Sequence, residues 1–367
     1  MANHSPLHEQ ATGAGAVYTE EAGWLIPAHF GHTLAEYHEA RSGAIVVDHS
    51  QRGKIEIRGA DAARFLHNLI TNDVLGLLPG RGCEAFLTTA KARVVAYLLI
   101  YRPAGESDVP AYILDVAPNA DERVISYLDR YLISEQVEFI NHTREYAQVH
   151  VAGPRAASVL EQVLKVRNPP SEALHHITVK IDDGAESWLR RHDALGLPGY
   201  DLVCPANQVA IIWQRLTQAG AKPAGRDATE LLRIEAVLPR EGAVIDENTF
   251  APEVGRIAQT ICYSKGCYLG QESIVMARDR GQVNRTLTGI KIPSGPVQYG
   301  SLLYADGKEI GRVTSSVHSP RLGMGIGLAY VRRGHQAPGS KLEAGVEGTR
   351  VAAEVISLPL CGATEGS

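Results

Sequence analysis

The feature that most restricts the fold is the order of strand-like and helix-like segments, because helices alternate with groups of strands joined by short turns. Gly53–Arg58 alternates apolar and polar side chains as a half-buried strand does. A helix is predicted directly after it, since Asp61 stands at an N-cap position before Phe65 and Leu69 at helical spacing. The same pattern continues with predicted strands at residues 84–89, 93–101, 111–116, 137–140, 148–151, 176–181, 187–191 and 200–203, and predicted helices at residues 119–133, 207–218 and 228–237.

This order predicts an α+β architecture built from split βαβ layers, not a doubly wound parallel sheet. After about Val283 the pattern changes to short alternating runs separated by Gly and Pro turns, and none of these runs has helical spacing. They predict a small C-terminal β-barrel or sandwich. Residues 1–20 are rich in Ala, Gly and His and are predicted to form a disordered leader.

Composition and charge exclude several classes of protein. The 367 residues include 36 Lys and Arg against 41 Asp and Glu, so the net charge of −5 argues against a protein that coats DNA through a basic face. The longest apolar run, Val94–Tyr101, is far shorter than the roughly 20 residues needed to span a bilayer, so no membrane partner is expected. Five scattered cysteines do not form a disulfide framework, and the N-terminal segment has no apolar signal stretch. We therefore expect a cytoplasmic protein.

The strongest local feature is the octapeptide KGCYLGQE at residues 265–272. Its two glycines permit tight turns and a close approach of the backbone to a ligand. Lys265 would favour the thiolate of Cys267 if the turn brings the two side chains together. Gln271 and Glu272 add a neutral hydrogen-bonding group and a possible acid or base. From the residues alone, a buried turn around an inert cysteine remains an alternative.

Two groups of residues have some of the spacing of metal ligands. His29, His32 and His38 could lie on one helix, but no cysteine or carboxylate cluster completes the set. Cys262 and Cys267 are separated by four residues and have no second pair for a closed four-cysteine site. The sequence therefore predicts no resident metal site, although a cluster shared with a partner stays open.

The octapeptide matches the signature K-G-C-[FY]-x-G-Q-E of the YgfZ family, the folate-binding relatives of the glycine-cleavage T protein. The chain resembles that superfamily over roughly residues 41–360, with similar segments at Gly53–Ile57, Phe65–His67, Thr71–Val74, Pro79–Arg81, Leu232–Glu235 and Leu238–Pro239. The resemblance implies a ring of two split-βαβ (ferredoxin-like) subdomains and a C-terminal β-barrel around a hole that binds tetrahydrofolate. The implied organisation is a leader at residues 1–20, a folate-binding region at 21–282, a barrel at 283–360 and a tail at 361–367.

The resemblance also implies roles for individual residues. Arg233 falls on an arginine that helps to hold folate in the T protein, although an arginine beside Glu235 on a helix is usually a surface ion pair. Asn72 and Asp73 would contact the ligand or would simply close the turn after the first helix, and both alternatives stay open. The implied folate contacts are Arg233, Asn72, Asp73, Gly266, Tyr268 and Gln271, and the implied catalytic residues are Cys267, Lys265 and Glu272.

Two departures from the T protein disfavour aminomethyl transfer. Ala96-Tyr97 replaces its paired catalytic aspartates, and Leu197 replaces its pterin-binding glutamate, with Asp201 nearby as a candidate substitute. A neutral pair cannot manage the proton at the amine nitrogen. The resemblance therefore implies support for the assembly or repair of iron–sulfur clusters, with client iron–sulfur enzymes or cluster-assembly proteins as partners. The alternative is a folate-dependent aminomethyltransferase or demethylase that uses a different acid.

Overall fold

The computed structural model describes residues 2–105, 109–181, 185–281, 283–346 and 349–357. The chain divides into two compact units. The first unit comprises Met1–Leu87, Ala96–Thr229 and Gln259–Leu269, and the second comprises Thr88–Val95, Glu230–Ala258 and Gly270–Ser367. The predicted tail at residues 361–367, together with Cys361, lies outside the described residues.

The N-terminal segment is ordered, so the prediction of a disordered leader at residues 1–20 is wrong. Leu7 is completely buried in the apolar core of the first unit, and the hydroxyl of Tyr18 donates to the carbonyl of His8 at 2.8 Å. Burial of Leu7 contributes to the stabilisation that offsets the conformational entropy lost when this segment becomes ordered. The segment forms β1 (Asn3–His4), α1 (His8–Gly13), β2 (Val17–Glu21) and β3 (Trp24–His29), with the strands in the sheet order β1-β3-β2.

The next part of the first unit is built around a five-stranded sheet of order β6-β7-β8-β5-β9. The helix predicted over residues 119–133 ends early, at Asp129. Ile133 is 90% exposed, so it contributes no buried surface that would favour a further helical turn. The elements are α2 (Thr33–Ser42), β4 (Ile45–Asp48), β5 (Gly53–Arg58), α3 (Ala62–Leu69), β6 (Arg81–Thr88), β7 (Val94–Arg102), β8 (Ala111–Val116), α4 (Asp121–Asp129) and β9 (Glu138–Asn141).

A second sheet of the first unit has six strands in the order β11-β12-β13-β10-β4-β14. Successive strand residues point to opposite faces, so Val149, Val151 and Leu202 belong to the apolar core while His150 and Asp201 lie on the other face. The elements are β10 (Tyr146–Ala152), α5 (Ala156–Leu164), β11 (His176–Ile181), β12 (Ala185–Arg191), β13 (Gly199–Pro205), a 3₁₀ turn (Ala206–Gln208), α6 (Val209–Gln218), β14 (Lys222–Pro223) and α7 (Arg226–Glu235).

The second unit contains a closed six-stranded barrel of order β15-β18-β17-β16-β19-β20, which confirms the predicted C-terminal β-barrel and the α+β class. A 3₁₀ turn before the barrel is tied to its first strand, since Arg285 Nε lies 3.0 Å from Glu253 Oε2. The elements are the 3₁₀ turn (Ala251–Val254), α8 (Ile257–Thr260), α9 (Gln271–Arg280), β15 (Arg285–Ile292), β16 (Leu302–Ala305), β17 (Lys308–Ser319), β18 (Met324–Arg332), β19 (Lys341–Val346) and β20 (Thr349–Ile356). Of the helices that the structure describes, none is long and apolar enough to cross a membrane.

Candidate functional site

Lys265, the first residue of the octapeptide, anchors the loop to the C-terminal end of α3. Its buried ammonium donates to the carbonyl oxygens of His67, Ile70 and Asn72, the last two at 2.8 Å. The ring of Tyr268 covers the ammonium, with Nζ 4.8 Å from the ring centroid. Carbonyls at a helix C-terminus lack intrahelical partners and favour a cation, so the lysine completes α3.

The predicted stabilisation of the Cys267 thiolate by the Lys265 ammonium is not supported by a contact between these two described groups. All three N–H groups of the ammonium are directed at carbonyls. Burial lowers the pKa of Lys265 to about 8, and the carboxylate of Asp73 is the main group that acts against this shift. Stabilisation of the Cys267 thiolate by Lys265 therefore stays a prediction. The role that the structure shows for Lys265 is to anchor the loop to α3.

Cys267 itself is exposed, and so is the neighbouring Gly266. A Cβ added at Gly266 would meet no atom within 4 Å, and the residue does not adopt a positive φ. The fold therefore gives no steric reason for glycine at this position. Its absent side chain leaves the approach to the thiol open.

The side chains of Asn72 and Asp73 close the turn after α3. The Asn72 Nδ2 group donates to the carbonyls of Glu84 and Gln259, at 2.7 and 2.8 Å. Asp73 Oδ1 accepts from the backbone N–H of Gly76 at 3.1 Å, while the Asp73 side chain stays 42% exposed. Asn72 and Asp73 thus do close this turn, as one of the two alternatives predicts. A contact with folate stays a prediction for both residues.

The remaining predicted site residues of the octapeptide belong to the second unit. Gln271 and Glu272 form the first turn of α9, where the carboxylate of Glu272 is exposed and favoured by the helix dipole. Gly270 precedes them at a φ of +87°, and a Cβ there would lie 2.7 Å from the carbonyl oxygen of Thr89. This glycine, unlike Gly266, is required by the backbone.

Arg233 is buried, not a surface residue. Its Nε and Nη2 groups donate to the two carboxylate oxygens of Glu230 at 2.8 and 2.7 Å, and Nη2 also donates to Ser315 Oγ at 2.8 Å. Glu235 is buried too and accepts from Ser319 Oγ at 2.6 Å, so the two residues do not form the surface pair that their spacing indicates. The predicted folate contact of Arg233 stays a prediction.

The position that lacks the T protein's paired aspartates has a carboxylate beside it, which the sequence analysis missed. Ala96 is buried in β7, and the hydroxyl of Tyr97 donates to Glu84 Oε2 at 2.6 Å. Glu84 comes from the neighbouring strand β6 of the same sheet. The available signal was the short turn between the two predicted strands, since strands joined in this way usually pair.

Asp201 has both carboxylate oxygens occupied by histidines. Oδ1 lies 2.9 Å from His150 Nδ1, and Oδ2 lies 2.7 Å from His192 Nδ1. Burial disfavours the charged carboxylate, but His192 and His150 hold the pKa of Asp201 well below its usual range. In this arrangement Asp201 has no oxygen left to take the place of a pterin-binding glutamate.

The chain is similar over nearly its whole length to glycine-cleavage T proteins. Residues 7–257 match the GCVT N-terminal domain, and residues 285–361 match the glycine cleavage T-protein C-terminal barrel domain. The chain is 30% identical over 364 residues to an aminomethyltransferase of Geobacillus kaustophilus, with 98% of each chain covered. It is 29% identical over 360 residues to an aminomethyltransferase of Halothermothrix orenii, covering 97% of this chain and 99% of the relative.

A solved structure has the same fold. The glycine cleavage system aminomethyltransferase T from Bartonella henselae superposes with a TM-score of 0.86 and 22% identity, covering 98% of each chain. These comparisons name the wider family, and the assignment to its YgfZ branch stays a prediction. Because the N-terminal family domain covers more than half of the chain and the barrel domain follows it, the chain belongs to the glycine-cleavage T-protein (GCVT) family.

Proposed function

We propose that this chain binds tetrahydrofolate and supports the assembly or repair of iron–sulfur clusters in client enzymes through the thiol of Cys267. The observation that carries the proposal is the different burial of two residues within the complete KGCYLGQE segment. Its lysine is buried as an anchor, while its cysteine is left exposed. A cysteine that served only packing would be expected in the opposite position.

The exposure of Cys267 distinguishes it from two other cysteines of the first unit. Burial raises the pKa of Cys83 and that of Cys204 to about 12, so both remain protonated thiols at neutral pH. The thiolate is the form that binds iron or attacks a disulfide, and it requires access. The thiol of Cys267 is accessible to other molecules, and the absence of a side chain at Gly266 keeps the space beside it open.

The predicted folate contacts fit the ligand only in part. Arg233 and Asn72 have their polar groups in hydrogen bonds to the protein, whereas Asp73 presents a partly exposed carboxylate. Support for folate therefore comes mainly from membership of the family. Tetrahydrofolate enters the proposal as a ligand only.

Aminomethyl transfer is the second candidate, and one observation favours it. The contact between Tyr97 and Glu84 supplies a carboxylate next to the position of the missing aspartates, where a general acid or base is needed. The curated relatives cited above are named aminomethyltransferases. This candidate predicts that the purified protein turns over an aminomethyl donor with tetrahydrofolate, and that Glu84→Gln abolishes the turnover. Absence of turnover with such donors, in protein that binds folate, would count against it.

The main proposal is tested in cells that lack the native protein. We expect the wild-type chain to restore the activity of an iron–sulfur enzyme, and Cys267→Ser to fail at an equal level of expression. Cys262→Ser is the matched control, because Cys262 lies five positions away, is half-buried and should be dispensable. Full restoration by Cys267→Ser would show that the thiol has no such role. Tetrahydrofolate binding by the purified variants, measured by calorimetry, tests the ligand separately.

A further inference from the structure

The polar face of the six-stranded sheet carries a cluster of buried histidines around one carboxylate. Asp201 and His150 lie directly opposite each other on β13 and β10, and both side chains are completely buried. His49, which directly follows β4, stacks on His150 with the ring centroids 5.2 Å apart. Residues distant in sequence are thus brought together by the strand order, and no spacing rule could have found them.

The ligand atoms of this cluster lie close enough together for one ion. His150 Nδ1 and Asp201 Oδ1 share a hydrogen bond of 2.9 Å, and an ion held by the same atoms would replace it. His49 Nδ1 faces Asp201 Oδ1 at 3.9 Å, which is too long for a hydrogen bond. The three ligand atoms, one each from His49, His150 and Asp201, all lie within 4.8 Å of one another, and this is the one such set among the residues that the structure describes. Metal–ligand bonds of about 2.0–2.2 Å place two ligands of one ion up to about 4.4 Å apart, so small side-chain rotations suffice.

We propose that His49, His150 and Asp201 bind a divalent first-row transition-metal ion. Two imidazoles and one carboxylate are ligands that zinc and ferrous iron both accept. Three protein ligands leave a position for water or another molecule, and the open side is that of His49, whose side chain is 20% exposed. This site is independent of the thiol proposed above.

The surroundings of the three ligands support them. His192 Nδ1 lies 2.7 Å from the other oxygen of Asp201 and so fixes the carboxylate, as groups behind a metal ligand commonly do. Gly199 gives His150 its room, because a Cβ there would lie 3.0 Å from Nε2 of the ring. Arg52 carries a charge of the same sign as the ion, and Asp115, which Arg52 shares with Arg190, offsets part of that charge.

Metal binding is best measured on a chain whose thiols cannot compete for the ion. The parent protein therefore carries Cys83→Ser, Cys262→Ser, Cys267→Ser and Cys361→Ser, and retains only the buried Cys204. It is stripped with a chelator and is dialysed separately against zinc, cobalt and, without oxygen, ferrous ions. We expect about one equivalent of metal per chain, a higher melting temperature, and visible cobalt absorption without thiolate charge transfer. Comparison of the zinc and iron arms decides which ion is preferred.

The variants locate the binding site. His49→Gln and Asp201→Asn should each abolish the bound equivalent, whereas His175→Gln, at a histidine paired with Glu172 elsewhere in the first unit, should retain it. His49 is partly exposed, so we expect the His49→Gln variant to fold even if Asp201→Asn does not. Circular dichroism verifies the fold of each variant. A parent protein that retains no metal, or binding that survives in a folded His49→Gln variant, would overturn the proposal.

Discussion

The ammonium of Lys265 lies 2.8 Å from the carbonyl oxygen of Ile70, a residue 195 positions earlier in the chain. Through this contact Lys265, the first residue of the KGCYLGQE segment, satisfies a carbonyl at the C-terminal end of α3. The contact also explains how a loop can present an exposed cysteine reproducibly, because the residue two positions before the thiol is fixed by three hydrogen bonds.

Replacement of Lys265 by Met should destabilise the first unit. Three buried carbonyls would lose a charged donor, and we expect a loss of about 3 kcal/mol in the free energy of unfolding. All three tryptophans of the chain, Trp24, Trp188 and Trp213, lie in the first unit, so urea denaturation followed by tryptophan fluorescence reports on it. Lys91→Met, at an exposed lysine, is the control. Equal midpoints for the two variants would refute the anchoring role.

The two glycines of the octapeptide should respond differently to alanine. Gly270→Ala places a Cβ 2.7 Å from the carbonyl oxygen of Thr89 at a φ of +87°, so we expect a loss of about 1–3 kcal/mol. Gly266→Ala adds a methyl group in open space and should change stability by less than about 0.5 kcal/mol. Thermal melts followed by circular dichroism compare the two. If Gly266→Ala nevertheless slows alkylation of Cys267, the glycine serves access to the thiol.

The contribution of His142 to stability should fall as the pH rises. Burial lowers its pKa, but hydrogen bonds to Glu56 and Glu145, at 2.8 and 2.7 Å, outweigh this and raise the pKa above the ordinary 6.5. A raised folded-state pKa stabilises fully below pH 6.5, and the effect is lost as the pH passes through the folded-state value. The difference in unfolding free energy between wild type and His142→Gln should therefore be larger at acidic than at alkaline pH. A difference that grows with pH would contradict this assignment.

Asp115 should be among the most sensitive positions of the first unit. It is completely buried between Arg52 and Arg190, with its oxygens 2.5 and 3.3 Å from their nitrogens. Asp115→Asn would leave two guanidinium groups without a counter-charge, at a cost of about 3–5 kcal/mol. The control Asp279→Asn breaks an exposed pair with Arg278 and should leave the denaturation midpoint nearly unchanged. Denaturation midpoints that do not separate the two variants would show that the buried charges are compensated by other groups.

The ordered N-terminal segment can be tested through Leu7. Leu7→Ala should cost about 2–5 kcal/mol, because the side chain is fully buried in the core of the first unit. Leu34→Ala, at a leucine 45% exposed on α2, should have little effect. If both variants unfolded at the wild-type urea concentration, the segment would not contribute to the fold.

Local sequence patterns were enough to predict the secondary structure wherever those patterns were strong. The predicted strand at Gly53–Arg58 has the same bounds in the structure, and the Gly- and Pro-punctuated runs after about Val283 form the expected barrel. Alternation works because each strand buries one face against a neighbour whatever that neighbour is. The prediction for residues 1–20 was based on composition instead, and it was wrong because the overall composition does not show that a single residue such as Leu7 is buried in the core.

The hydrogen-bond and ion-pair partners of the polar side chains could be seen only in the folded structure. Closeness in sequence predicts that Lys265 acts on Cys267, yet its ammonium donates to the carbonyl of Ile70 at the end of α3. Glu84 meets Tyr97, and His49 meets Asp201, through strand pairing over separations that no local pattern encodes. Hydrophobic periodicity is a property of neighbouring residues, whereas the partner of a polar side chain depends on register and topology, which exist only in the folded chain.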